Sequence, residues 1–160
     1  EVSPLTANAP MHGDTFQIHI DGDPFFAPPS PWTDVYGRYP NRSRGKPRFV
    51  TFLIYLNGEW KNNNDGDDGE DWGATTLFLD VATDTAFHVE PRPGRCLLMD
   101  QDITHSVTPP AMKEVGPRYS LVWKLILHPK EENQDMRHLA CGRSWPSSAL
   151  LGSAVGPTKS

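Results

Sequence analysis

Short apolar runs separated by turn residues are the main pattern along this chain. The clearest run covers residues 49–56, Phe-Val-Thr-Phe-Leu-Ile-Tyr-Leu, and it is rich in β-branched and aromatic side chains before the turn at Asn57-Gly58. Further strands are predicted at residues 16–20, 75–81, 87–89, 96–99 and 119–127. Short strands at such intervals are typical of an antiparallel sandwich or barrel of the jelly-roll kind.

Glycine and proline leave little room for helices. The chain has 13 Gly and 16 Pro among its 160 residues, which is above their usual share. The only predicted helix covers residues 130–139, so the fold class is all-β dominated with a minor helix. The length fits one domain, which we place at residues 13–130, between an N-terminal tail or remnant (1–12) and a short helix with a C-terminal tail (131–160).

Net charge, hydropathy and cysteine content exclude several kinds of binding partner and site. A net charge of −5 lacks the basic footprint of a nucleic-acid-binding protein. No apolar stretch approaches the roughly 18 residues that span a membrane. Cys96 and Cys141 provide neither a disulfide framework nor a zinc cluster. We therefore expect no nucleic acid or membrane partner, and the lack of a signal-peptide pattern together with the two cysteines favours the cytoplasm.

Three side chains are candidate metal ligands. His19 and Asp21 stand at positions i and i+2 of a predicted strand, which places both side chains on one face. A His and a carboxylate are two of the three ligands in the facial triad of non-haem Fe(II) oxygenases. His105 follows a buried strand, where a jelly-roll chain returns toward its own start. A surface pair near a turn and a non-ligating histidine are the alternatives to this interpretation.

A second group of candidates lies on the inward face of two strands. Arg118 and Ser120 share one face, and an inward guanidinium requires a carboxylate partner, which a substrate could supply. Tyr55 lies on an inward face by the alternation of its strand, and its hydroxyl requires a hydrogen-bond partner. The alternatives are a solvated surface arginine and a core tyrosine bonded to backbone. Lys124 lies on the same strand face as Arg118. It is either a charge at the rim of the site or a second contact for an anion.

The order of these motifs is more specific than any one of them. Residues 13–21 read Gly-Asp-Thr-Phe-Gln-Ile-His-Ile-Asp and residues 48–57 read Arg-Phe-Val-Thr-Phe-Leu-Ile-Tyr-Leu-Asn. Residues 73–78, Gly-Ala-Thr-Thr-Leu-Phe, and the Pro-Arg-Pro-Gly turn at 91–94 follow before His105 and Arg118. Together these segments resemble the prolyl 4-hydroxylase-like branch of the Fe(II)/2-oxoglutarate-dependent dioxygenases, over roughly residues 13–130.

The resemblance implies a fold, a reaction and a set of site residues. The fold would be a double-stranded β-helix, which is a jelly-roll variant. His19, Asp21 and His105 would bind Fe(II). The distal carboxylate of the cosubstrate 2-oxoglutarate would be held by Arg118, Tyr55 and Ser120. The enzyme would use O₂, with ascorbate as a candidate reductant, to hydroxylate a C–H bond of a peptidyl proline or related substrate and release succinate and CO₂.

Several features depart from the family pattern. Ala74 replaces the second Gly of the G-G-x-T turn, which matters only if that position needs a positive φ. The first core strand and supporting helices expected upstream of Gly13 are largely missing, so the chain is expected to be truncated at its N-terminus. The aromatic-rich insertion at 24–47 lies where a lid or substrate loop would sit.

Two other functions stay open at this point. The first is a catalytically degenerate jelly-roll binding module that keeps the oxygenase fold without turnover. The second is a cupin-type metal enzyme, which is disfavoured because it gives Arg118 no role. The substrate class is a peptide or a small molecule.

Overall fold

Two antiparallel sheets form the described part of the chain. The computed structural model describes residues 2–14, 16–57, 73–80, 83–111, 113 and 116–130. Its elements are β1 (Thr6–Asn8), a 3₁₀ turn (Pro24–Phe26), α1 (Pro31–Tyr36), β2 (Arg48–Tyr55), β3 (Thr76–Asp80), β4 (Thr85–Val89), β5 (Cys96–Asp100), β6 (His105–Val107) and β7 (Ser120–Leu127). One sheet has the order β1-β7-β2-β5 and the other β4-β3-β6. The predicted all-β jelly roll with little helix is confirmed.

Strand β2 is central because both of its edges are paired. It runs antiparallel to β5 and to β7, as its apolar and β-branched sequence favours. The β7 register places Tyr55 opposite Ser120 and Thr51 opposite Lys124. Thr51 and Tyr55 are fully buried. Alternation along the two strands therefore lines up polar side chains on one face, toward the second sheet.

The apolar core lies beneath the same face. Phe78 from β3, Met99 from β5 and Ile103 form a buried cluster, and Val89 and Leu97 pack against it. These residues come from both sheets and from the turn after β5. The core thus fixes the second sheet and the chain that leads into His105.

The predicted strand at 16–20 is wrong. This segment makes a single bridge, between His19 and His105, and is not otherwise part of a sheet. All five of its residues are exposed, including the apolar Phe16, Ile18 and Ile20, so neither face of the segment is buried as a core strand would be. Backbone hydrogen bonds hold the segment in place, so burial of its apolar side chains does not determine its structure.

Four elements were not predicted from the sequence: β1, the 3₁₀ turn, α1 and β6. Thr6–Asn8, inside the segment expected to be a tail or remnant, pairs with β7 as β1. Helix α1 lies within the insertion, and Ser30 and Thr33 form a capping box around Pro31, the first helical residue. The domain boundaries stay predictions. The predicted helix at 130–139, the tail at 131–160 and the acidic loop at 61–71 lie outside the described residues, apart from Lys130.

The insertion at 24–47 is anchored to the sheet by a buried polar network. The Asn41 side chain donates to the Phe49 carbonyl at 2.8 Å and to Asp102 at 3.1 Å. Arg48 and Asp100 form a buried bidentate pair at 2.5 and 2.6 Å. Burial raises the pKa of Asp102, and the nearby Arg42 guanidinium opposes that shift. The network joins the insertion to the turn between β5 and His105.

None of the helices within the described residues has both the length and the apolar character needed to cross a membrane.

Candidate functional site

The backbone brings the three candidate metal ligands together. The His19 N–H donates to the His105 carbonyl at 2.9 Å, and the His105 N–H donates back to the His19 carbonyl at 2.9 Å. The Asp21 N–H donates to the Gln101 carbonyl at 2.8 Å. As a result, one ligand atom from each of His19, Asp21 and His105 lies within 4.8 Å of the others. Main-chain pairing thus assembles the cluster.

Hydrogen bonds define the tautomer of both histidines. Nδ1 of His19 lies 2.8 Å from the Gln17 carbonyl, and Nδ1 of His105 lies 2.9 Å from the Ile103 carbonyl. A carbonyl can only accept, so each Nδ1 carries a proton, and in the neutral ring Nε2 is then the nitrogen that offers a lone pair to a metal. Burial lowers the pKa of His105, and the charge of Asp21 opposes this only in part. His105 is therefore held in the neutral form that a metal ligand requires.

The carboxylate of Asp21 is held in its ionised form. Burial raises its pKa, but hydrogen bonds from Thr51 and Lys124 outweigh burial and leave the pKa below its usual value. The Thr51 hydroxyl donates to Oδ2 at 2.6 Å. The Lys124 Nζ lies 3.1 Å from Oδ1, and His19 Nε2 lies 3.9 Å from the same oxygen. Sequence reasoning missed Thr51, although its alternation with Tyr55 along β2 placed it on the site face.

The donor set fits a divalent first-row metal ion. Two imidazoles and one ionised carboxylate converge on one region, and this is the donor combination of the 2-His-1-carboxylate facial triad of non-haem Fe(II) oxygenases. Both imidazoles also have the backbone-carbonyl partner that metal-ligating histidines commonly have. The cluster is therefore chemically suited to Fe(II).

A buried cation with unused hydrogen-bonding capacity lies two residues before β7. Arg118 is 1% exposed, and its guanidinium donates to Thr76 at 2.9 Å and to Ser120 at 3.4 Å. Its Nε has no hydrogen-bond partner, and no carboxylate of the described residues pairs with it. Burial lowers the pKa of Arg118, although an arginine remains a cation across ordinary pH. The guanidinium is therefore suited to bind a carboxylate.

Tyr55 and Thr76 complete the surroundings of this arginine. The guanidinium carbon lies 4.8 Å from the centre of the Tyr55 ring. The Tyr55 hydroxyl and the Thr76 hydroxyl are 2.7 Å apart. The structure thus brings the candidate residues Arg118, Tyr55 and Ser120 together. It adds Thr76, which sequence reasoning missed. The signal for Thr76 was its place in the Gly-Ala-Thr-Thr-Leu-Phe turn that begins β3.

The turn before β3 explains the departure at Ala74. Ala74 has φ +56° and Gly73 has φ +64°, so both positions lie in the left-handed region. The Ala74 N–H donates to the Pro109 carbonyl at 2.9 Å. This position therefore does favour glycine, and alanine there costs about 1–2 kcal/mol in backbone conformation. The turn keeps its shape despite that cost and places Thr76 against Arg118.

Comparisons with known proteins point to one superfamily. The sequence profile of the 2OG-Fe(II) oxygenase superfamily matches residues 6–123. A Trichoplax adhaerens prolyl hydroxylase, solved with a peptide fragment of the hypoxia inducible factor oxygen degradation domain, has 21% identity and a TM-score of 0.50, over 80% of this chain and 44% of that one. A Phytophthora capsici prolyl 4-hydroxylase has 24% identity and a TM-score of 0.45, over 85% and 37%.

One curated protein is also similar over a short stretch. The interleukin-22 receptor subunit alpha-2 of Rattus norvegicus is 38% identical over 56 residues, which is 35% of this chain and 22% of that protein. A match of this extent does not show a family. The chain spans less than half the length of the solved structures compared above and about a fifth of the curated relative.

Proposed function

This chain belongs to the 2OG-Fe(II) oxygenase superfamily, and from that premise we propose that it is a prolyl 4-hydroxylase-like, Fe(II)- and 2-oxoglutarate-dependent dioxygenase. In the reaction a substrate C–H bond, O₂ and 2-oxoglutarate give C–OH, succinate and CO₂. The observation that carries the proposal is the pairing of two sites on one face. A His-Asp-His cluster lies beside Thr51 and Lys124, and a buried arginine without a carboxylate partner among the described residues lies beside Tyr55.

The spacing of the two sites suits a dicarboxylate. Thr51 contacts Asp21 and Tyr55 contacts Arg118, and these two residues are four positions apart on β2. Their Cα atoms are therefore about 13 Å apart, with both side chains directed to the same face. A molecule with an anionic group at each end could reach a metal ion held by the cluster at one end and the guanidinium at the other. 2-Oxoglutarate has this form.

Each residue group has a defined task in the proposed reaction. His19, Asp21 and His105 would hold Fe(II), which supplies the activation of O₂ and the oxidation chemistry. Arg118 would bind the distal carboxylate of 2-oxoglutarate with its unused Nε–H and the rest of its guanidinium. Tyr55 and Thr76 hold the guanidinium in position. Because Arg118 is buried, the ion pair would form away from water, where it is stronger.

We infer that the substrate is a peptidyl proline or a related C–H donor. The Trichoplax prolyl hydroxylase was solved with a peptide, and this makes proline-containing peptides the first substrates to test. Small molecules are the second class. Ascorbate belongs in the assay as a candidate reductant.

The test is succinate formation by the 160-residue chain. Purified protein is incubated with Fe(II), 2-oxoglutarate, ascorbate and a proline-containing peptide library, and succinate and hydroxylated product are measured by mass spectrometry. We expect succinate from the wild type and none from Asp21→Ala or His105→Ala. His88→Ala, an exposed histidine on β4, is the control and retains turnover. Full turnover in His105→Ala would refute the proposal, and metal binding without 2-oxoglutarate decarboxylation would favour the binding-module alternative.

A further inference from the structure

Lys124 is bonded to the oxygen of Asp21 that faces the metal cluster. Oδ2 of Asp21 accepts a hydrogen bond from the Thr51 hydroxyl at 2.6 Å, so this oxygen is already engaged. Oδ1 lies 3.9 Å from His19 Nε2 and only 3.1 Å from Lys124 Nζ. The same ammonium also lies 3.3 Å from the Asp21 backbone carbonyl. Lys124 thus engages the ligand oxygen that is directed toward His19.

This placement follows from the register of the sheet. Lys124 pairs with Thr51 across β2 and β7, so both side chains project to the site face and meet the same carboxylate. The side chain of Asp21 is 11% exposed, whereas that of Lys124 is 44% exposed. The ammonium therefore neutralises a nearly buried carboxylate and still has a route to solvent. An unpaired carboxylate in that position would be costly.

We propose that Lys124 is a built-in competitor of the metal ion, which occupies the Asp21 ligand oxygen in the metal-free protein and must be displaced when the metal binds. This inference rests on the proposed function, because it assumes that His19, Asp21 and His105 form the metal site. A divalent ion on Oδ1 and an ammonium 3.1 Å from that oxygen repel each other strongly in a partly buried site. The exposed stem of Lys124 lets its head move into water.

The exchange sets how tightly the site binds metal. In the metal-free chain the ion pair holds the Asp21 carboxylate in place, so the carboxylate is positioned for coordination. Loading then replaces one cation with another, and the lost Lys124 contact is subtracted from the affinity. Metal occupancy is therefore lower at a given metal concentration than three unopposed ligands would give.

The test compares Mn(II) affinity among lysine variants of the full chain by anaerobic titration calorimetry. We expect Lys124→Met and Lys124→Gln to bind Mn(II) roughly three- to tenfold more tightly than the wild type, and Lys124→Arg to bind as the wild type does. Lys113→Met removes one charge from an exposed lysine and should leave the affinity unchanged. Circular dichroism verifies the fold of each variant. Without metal, Lys124→Met should melt at a lower temperature than the wild type.

Each outcome separates this inference from the metal site itself. Equal or weaker Mn(II) binding in Lys124→Met and Lys124→Gln overturns the competitor role, while wild-type binding that is lost in His105→Ala keeps the metal site. Absence of Mn(II) binding in both the wild type and Lys124→Met overturns the metal site, and with it the proposed function. Tighter binding in both lysine variants, lost again when His105→Ala is added, supports the competitor role.

Discussion

Replacing Arg118 by methionine should separate the contribution of this residue to folding stability from its contribution to ligand binding. Arg118 is fully buried, with one good hydrogen bond to Thr76, a long one to Ser120 and an unsatisfied Nε. Burying one charge costs several kcal/mol after relaxation. A hydrogen bond from a charged donor returns about 1.5–3 kcal/mol, and a desolvated contact with the Tyr55 ring about 2 kcal/mol. These contributions nearly cancel, so Arg118→Met should change the free energy of unfolding by no more than about 1 kcal/mol.

The same substitution should remove the anchor for 2-oxoglutarate. Removing one partner of a buried charge pair costs about 2–5 kcal/mol in binding, which corresponds to a loss of roughly 30-fold to several thousand-fold. The assays are urea unfolding of the metal-free protein and calorimetric titration of 2-oxoglutarate into the Mn(II)-loaded protein. An arginine kept for ligand binding alone shows this combination of near-neutral stability and lost affinity.

Arg48 provides a matched control on the same sheet. It is also buried, but it pairs with Asp100 in a bidentate arrangement. Arg48→Met leaves that carboxylate with only the weaker contact from Arg42 at 3.5 Å, and should destabilise the fold by about 3–5 kcal/mol. A ligand-binding role for Arg118 is refuted if Arg118→Met loses as much stability as Arg48→Met, or if it binds 2-oxoglutarate as the wild type does.

Three further predictions concern Thr51, the turn at Gly73 and the burial of His105. Thr51→Val removes the hydroxyl that orients Asp21 and should weaken Mn(II) binding about 10- to 100-fold; unchanged affinity in calorimetry would contradict that role. Gly73→Ala should lower the free energy of unfolding in urea by more than Gly94→Ala does, because both glycines have positive φ but only at Gly73 would a Cβ lie 2.5 Å from the Pro109 carbonyl oxygen. Equal effects would argue against the close approach. The pKa of His105 is lowered in the fold by burial, so the unfolded chain takes up this proton at higher pH. Stability should therefore be present above pH ~6.5 and decline as the pH falls below it, by up to about 1.4 kcal/mol per unit of depression. Metal-free wild type should lose more stability between pH 7.5 and 5.5 than His105→Gln does, and equal losses in urea titrations would refute the assignment.

Local pattern predicted the elements whose side-chain alternation agrees with their burial. Strands β2 and β7 have apolar, β-branched sequences and pair along their full length, so both were found with nearly correct ends. The segment 16–20 has the same alternation, but its apolar side chains face solvent. Its conformation depends on the distant backbone of His105, which no local pattern reveals. Helix α1 was missed because six residues contain too few apolar positions to show a helical period.

The sequence proposed the members of the candidate site but did not indicate their contacts. The order of motifs along the chain indicated His19, Asp21, His105, Arg118, Tyr55 and Ser120, and the fold places them in two neighbouring groups. Alternation placed Lys124 on the face of Arg118 and left its role open. Its contact with Asp21 depends on where the irregular segment after His19 meets β7. That meeting point is set by tertiary structure alone.

The reciprocal backbone pairing of His19 and His105 also has a consequence for folding. The two residues close a loop of about 86 residues, and closing a loop of that length restricts the unfolded chain far more than a local contact would. A metal ion held between them acts as a cross-link across most of the domain. Metal loading should therefore slow the release of the N-terminal segment that carries His19 and Asp21, and make it more resistant to proteases. A metal ion bound at this site would therefore also cross-link the segment of His19 to strand β6.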